Sequence, residues 1–201
     1  YRMENYIDII SEEHVWNTNW KILTENFRWF FETYDHTWDD IIKATKMYVN
    51  ELMAGRYQPR PKVTAFPNTG HDRFEGMLTV KAELVSMCSH HHQPVKGIAI
   101  IGLIPTGEVI GLSMYDRIAQ WCARRGQLQE ELCNQIAKEI MTATDTENVG
   151  VYIEATHGCM EHRGVMAHSS LTQTTVVHGL FHNDAVKSEF FNNVKNQMRH
   201  C

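Results

Sequence analysis

MLTVKAELVSMCSHHHQPVKGIAIIGLIP, residues 77–105, is the stretch whose reading decides the fold. Apolar and polar residues alternate through MLTVKAELVSM, the period of a strand with one buried face. VKGIAIIGLIP (Val95–Pro105) reads as a second strand. Between the two, CSHHHQP (88–94) packs one cysteine and three consecutive histidines into seven residues. Neighbouring side chains on an extended segment point to opposite faces, so at most two of these imidazoles are expected to share a site.

Downstream, TGEVIGLS predicts a turn and a short strand. Ser113 followed by Asp116 resembles a helix N-cap with an acid three residues on. YDRIAQWCAR and LQEELCNQIAKEIMTAT (Leu128–Thr144) then read as helices. VGVYIEATHGC (Val149–Cys159) and LTQTTVVHGLF (Leu171–Phe181) read as strands, and DAVKSEFFNNVKNQM (Asp184–Met198) as a terminal helix. Upstream, apolar residues recur at helical spacing over Trp20–Tyr34 and again over Asp39–Gly55, where the glycine suggests a stop. RYQPRPKVTAFPNTGHD, with three prolines and a glycine, reads as loop. Strand pairs separated by helices predict an α+β domain with an antiparallel sheet rather than a doubly wound parallel one. A small sheet of this kind has exposed edges, which invite pairing with further copies of the chain.

Bulk composition narrows the function. The 201 residues are 43% hydrophobic and 21% charged, ordinary for a globular protein, and long enough for one domain with a real core. A formal net charge of −5 argues against a general nucleic-acid binder. The longest apolar run, near Gly97–Ile104, is far too short to span a membrane. No signal-peptide pattern is visible. Five scattered cysteines (Cys88, Cys122, Cys133, Cys159 and Cys201) do not form a small disulfide scaffold, and a reducing, cytoplasmic setting is expected.

Cys88 and His91 are spaced C-x-x-H, and HGCMEH brings His157 and Cys159 to the end of a predicted strand. A short ligand pair with a distant third ligand is how many catalytic zinc sites are built. Two thiolates and one imidazole leave a fourth position open to water, and soft sulfur ligands favour zinc. Two other readings of the same residues stand beside it. One is a buried cysteine next to a surface imidazole. The other is a closed structural zinc with His162 as fourth ligand.

CSHHHQPVKGIAIIGLIPTGEVIGLS, RRGQLQEELCNQIAKEI and VGVYIEATHGCMEHRGV together resemble the GTP cyclohydrolase I family. They match its C-E-H-H, V-I-G-L-S-K, Q-V-Q-E-R-L-T-x-Q-I and E-A-x-H-x-C-x-x-x-R-G motifs, over about Lys43–Phe181. The resemblance implies the tunnelling fold: an antiparallel sheet with helices on one face, assembling into a β-barrel oligomer, a pentamer or decamer with active sites between subunits. Residues 1–40 are read as an N-terminal helical segment from the helical spacing above, and 41–201 as the catalytic domain the resemblance implies. It implies hydrolysis of GTP at C8 of guanine, with loss of formate and formation of 7,8-dihydroneopterin triphosphate.

Carried over by position, the zinc ligands are Cys88, His91 and Cys159, and the proton-transferring histidines are His90 and His157. His92 falls where the family varies. Gln129 and Glu130 match residues that hold the guanine edge, and Ser113 a substrate-contacting serine. Lys43, Lys46, Arg117 and Arg163 fall where the family places cations around the triphosphate. No nucleic-acid or membrane partner is implied. The sequence departs from the family at Met114, where a phosphate-contacting lysine is usual, at Ser89 for a glutamate, and at Lys43 for an arginine. Two rival readings remain: the same ring opening on a related purine nucleotide with altered phosphate preference, and a catalytically silent zinc-binding assembly protein.

Overall fold

The computed structural model describes residues 38–199, apart from Asp72. The helix expected over Trp20–Tyr34, and nearly all of the expected 1–40 segment, lie outside the described residues.

Four strands form one antiparallel sheet: β2 (Leu78–Met87), β3 (Pro94–Leu103), β5 (Val149–His157) and β6 (Thr172–Val177), in the order β2-β3-β5-β6. A two-stranded ribbon pairs β1 (Ala65–Pro67) with β4 (Glu108–Ile110). Its first strand falls in the stretch read as loop. Three residues containing a proline carry no periodicity, and only the partner strand across the ribbon makes them extended.

The pleat sorts the sheet into two faces. Ala82, Leu84, Ala99, Ile101, Leu103, Val149, Val151, Ile153 and Ala155 face one way. They bury against α3 (Leu112–Ala123) and α4 (Gln129–Thr144), whose Tyr115, Ile118, Cys122, Leu132, Cys133, Ile136 and Ile140 complete the main core. Ile98, Ile100 and Tyr152 face the other way, toward α6 (Asp184–Met198) and the 3-10 turn before it. Helices on one face alone is therefore corrected: α3 and α4 cover one face, and α6 covers one end of the other. The α6 contact depends on two glycines. Gly102 and Gly150 are register partners on β3 and β5. A Cβ on either would come within 2.7 Å of Phe190 or Phe181. With no Cβ at either position, that aromatic pair, edge to face at 5.4 Å, packs close against the sheet.

Element boundaries differ from expectation in instructive places. The helix predicted over Asp39–Gly55 breaks into α1 (Trp38–Met47), a π turn (Tyr48–Leu52) and α2 (Ala54–Tyr57). Gly55 is not a stop. Its N–H donates to the Arg124 carbonyl at 2.8 Å, and a Cβ there would lie 2.0 Å from the Trp121 carbonyl oxygen, so only glycine lets α2 dock on the end of α3. Ser113 is not a cap either. α3 begins one residue earlier with Gly111 at its N-cap, and Ser113 lies exposed within its first turn. Asn183, by contrast, caps α6 by accepting from the Ala185 and Val186 amides.

Candidate metal centre and active site

The loop joining β2 to β3 carries the first half of the site. Cys88 N–H donates to the Gln93 carbonyl at 2.9 Å, and His92 N–H returns to the Cys88 carbonyl at 3.0 Å. Residues 88–92 thus wind into one helical turn, with His92 in the left-handed region at φ 50°. The extended geometry expected for the three histidines is replaced by a turn, in which residues three apart lie on one side. Cys88 and His91 meet for that reason, with Sγ 3.9 Å from Nδ1. His90 projects separately into solvent, its ring 6.0 Å from that of His91.

The second half comes from the end of β5. Val95, the second residue of β3, pairs with His157. β5 then turns into α5 (Gly158–Glu161), which carries Cys159. Cys159 lies on this helical turn rather than on the predicted strand. Gly158 fits close beneath, where a Cβ would lie 3.1 Å from the Pro94 carbonyl oxygen.

These two segments bring one donor atom each from Cys88, His91 and Cys159 within 4.8 Å of one another. A tetrahedral zinc with bonds of about 2.0–2.3 Å holds its donors roughly 3.5–3.8 Å apart, so a small contraction would close them on the ion. Burial, and then the neighbouring Cys88 sulfur, push the Cys159 thiol above its ordinary value, while Arg163 pulls it down. A cation held between the two sulfurs would oppose that rise at Cys159. The donor set therefore fits zinc. His162, although exposed nearby, is not among the converging donors, which leaves the set at three among the described residues.

His157, at the end of β5, faces the α3–α4 side of the sheet and lies beside the start of α4. Its Nε2 lies 2.7 Å from Gln129 Oε1. The Gln129 amide nitrogen donates to the Thr172 carbonyl at 3.1 Å and to Thr174 Oγ1 at 2.9 Å. Burial lowers the His157 pKa, against the raising influence of Glu130 and Glu161. Glu130 is exposed beside this cluster, with Glu131 next to it accepting the Leu128 N–H and steadying the first turn of α4. Gln129, expected to grip a purine edge, is 6% exposed and has its amide committed to protein partners.

Cys88, His90, His91, Gln129, Glu130, His157, Cys159 and Arg163 thus belong to one neighbourhood. The remaining predicted residues have other surroundings among the described residues. Lys43 is an exposed partner of Asp40 at 3.9 Å, and Lys46 is exposed on the same helix. Arg117 lines a separate groove with Gln58, Trp121 and Arg124. Met114, at the position of the family's lysine, is 9% exposed and packs into the main core. Thr172 and Thr174 were not singled out from sequence. Threonines alternating along a strand read as ordinary β-formers, and only the packing of β6 against α4 makes them partners of Gln129.

The sequence model of GTP cyclohydrolase I matches residues 35–195. The GTP cyclohydrolase 1 of Aeromonas salmonicida is 40% identical over 156 residues, 76% of this chain and 71% of the relative. That of Vibrio cholerae is 38% identical over 165 residues, 78% and 75% respectively. That of Buchnera aphidicola from Schizaphis graminum is 40% identical over 156 residues, 76% and 71%.

Proposed function

The chain belongs to the GTP cyclohydrolase I family, and from that premise we propose a zinc-dependent hydrolase that opens the imidazole ring of GTP at C8. Formate leaves, and the product is 7,8-dihydroneopterin triphosphate. The observation that carries the reading is the convergence of Cys88, His91 and Cys159 from two separate segments.

Cys88, His91 and Cys159 would hold the zinc. Held there, zinc would supply the Lewis acidity that activates water near neutral pH, lowering its pKa from about 15.7 to about 7. Glu130 would accept the N1–H and 2-amino donors of guanine, a pair adenine does not offer. His157 and His90 would carry protons during ring opening and the later sugar rearrangement, a task suited to imidazole. Arg163, with Lys43, Lys46, Arg117 and Ser113, would meet the triphosphate and its surroundings, one part of that set coming from a neighbouring copy. Assembly into a pentamer or decamer barrel is supported by the free edges of β2 and β6, each paired on one side only among the described residues. No helix among the described residues is long and apolar enough to cross a membrane, and a cytoplasmic location accords with that. Division of the chain at about residue 40, with the catalytic domain over 41–201, is part of the same proposal.

The phosphate end favours a second, narrower reading. Met114 supplies no charge and is turned into the core, so preference for the triphosphate is weaker than for a site with one more cation. Formate release from GTP, GDP, GMP and guanosine, with zinc-loaded and chelator-treated protein, tests both. Turnover of GTP lost on chelation and restored by zinc is the expected result. Zinc bound with no formate from any purine nucleotide would leave a silent assembly protein instead.

A further inference from the structure

The Gln129 amide has one arrangement that chemistry allows. The Thr172 carbonyl, 3.1 Å away, carries lone pairs and no proton, so the group facing it must be the NH2. The second amide hydrogen is taken by Thr174 Oγ1 at 2.9 Å. Oε1 is thereby turned toward His157 Nε2 at 2.7 Å. An oxygen without a proton can hold a ring nitrogen at that distance only by accepting from it. Gln129 is 6% exposed, so water does not compete for these bonds.

We propose that Gln129 and Thr174 are positioning residues that keep the His157 proton on Nε2 and reserve Nδ1 as the ring's acceptor. The proposal rests on the reading of His157 as a proton-transfer group. Imidazole offers one acceptor at a time, and which nitrogen it is depends on what the other nitrogen donates to. With Nε2 bound to Gln129, a proton leaving the substrate or water has only Nδ1 to go to. The wrong tautomer would leave the residue in place and unable to act.

The arrangement also links the site to an outer strand. Thr174 sits on β6, paired with Ile153 of β5, and β6 is the last strand of the sheet. The position of β6 against the start of α4 therefore sets the amide, and the amide sets the ring.

The test uses the full-length, zinc-loaded protein labelled with 15N-histidine, the His157 signal being identified by its loss in His157→Gln. Thr174→Val removes the acceptor and keeps the shape; Thr174→Ser keeps the hydroxyl. The expected result is a protonated Nε2 and bare Nδ1 in the unaltered protein and in Thr174→Ser. Thr174→Val should show mixed tautomers, with kcat for GTP lower by on the order of 10-fold and KM unchanged. Gln129→Met, which keeps length without polar atoms, should give the same tautomer mixture by a second route.

A proton on Nδ1 in the unaltered protein would overturn the proposal. So would Thr174→Val with a lower thermal midpoint but an unchanged tautomer and kcat, which is what a merely structural tie predicts. Absence of GTP turnover in the unaltered protein would sink the proposed function instead, while the nitrogen spectra would still decide the tautomer.

Discussion

The two ends of the proposed site are built in opposite ways. The metal end is assembled inside one chain. Two backbone hydrogen bonds wind the Cys88 turn, and strand pairing at Val95 and His157 brings Cys159 to it. The proposed phosphate end rests mostly on exposed side chains of helices, Lys43 and Lys46 on α1 and Ser113 and Arg117 on α3, with Arg163 reaching it from beside Cys159. Chemistry explains the contrast. A soft-metal site needs its donors placed to within a few tenths of an ångström, and a backbone scaffold does that before any ligand arrives. A triphosphate is a long, highly charged anion that flexible cations can follow, and its field acts at a distance.

The contrast can be broken most sharply at the metal. Cys88→Ser, His91→Ala and Cys159→Ser should each lose bound zinc and all turnover, measured by elemental content and formate release. His157→Ala should retain zinc and lose turnover by on the order of 10²–10⁴-fold. Release of zinc in that variant would show that His157 belongs to the ligand set and not to proton transfer. At the other end, Arg117→Ala or Lys43→Ala should keep zinc, raise KM for GTP several-fold and leave kcat nearly intact. That increase should shrink at high salt, because exposed charges are screened. A loss of zinc from either variant would mean that the two ends are mechanically coupled within the chain.

Smaller effects come from the core on which both ends rest. Burial raises the Cys122 and Cys133 thiols to about 12 and the Tyr115 hydroxyl to about 12. Folding keeps these groups neutral, whereas an unfolded chain ionises its thiols near 9 and its tyrosines near 10. Their contribution is complete below about pH 9 and is lost as pH rises toward 12. Urea midpoints should therefore be flat from pH 7 to about 9 and fall steeply above, with a shallower fall in Cys122→Ala. The smallest effect belongs to Tyr115, whose buried hydroxyl has no hydrogen-bond partner among the described residues. Tyr115→Phe should be neutral or stabilising by about 1 kcal/mol, because it removes an unsatisfied polar group. A marked loss of stability would mean the hydroxyl has a partner, such as a buried water.

How far the sequence could be read depended on whether the signal was local. The alternation in β2 and the run of α6 are local signals, and their boundaries emerge almost as expected. Cys88 and His91 were legible together as a C-x-x-H ligand pair, whereas the turn that joins them, in place of the extended segment expected, was not. The break of the Asp39–Gly55 helix was not legible. Its cause, the seat of Gly55 against Trp121, is 66 residues away in the chain. Ser113 misled for a similar reason: a serine near a helix start is a cap or a first-turn residue by a shift of two positions.

By itself, the order of residues determined which atoms are available: two thiols, an imidazole, a pair of further histidines, and the family those motifs declare. It also determined the alternating strands that had to bury one face. Only the tertiary structure decided which donors meet, because antiparallel register, a long-range property, places His157 opposite Val95 and so carries Cys159 to Cys88. It likewise decided that Gln129 spends its amide on Thr172, Thr174 and His157. Hydrogen-bond partners 28 to 45 residues apart are selected by packing, for which no local pattern of amino acids is a substitute.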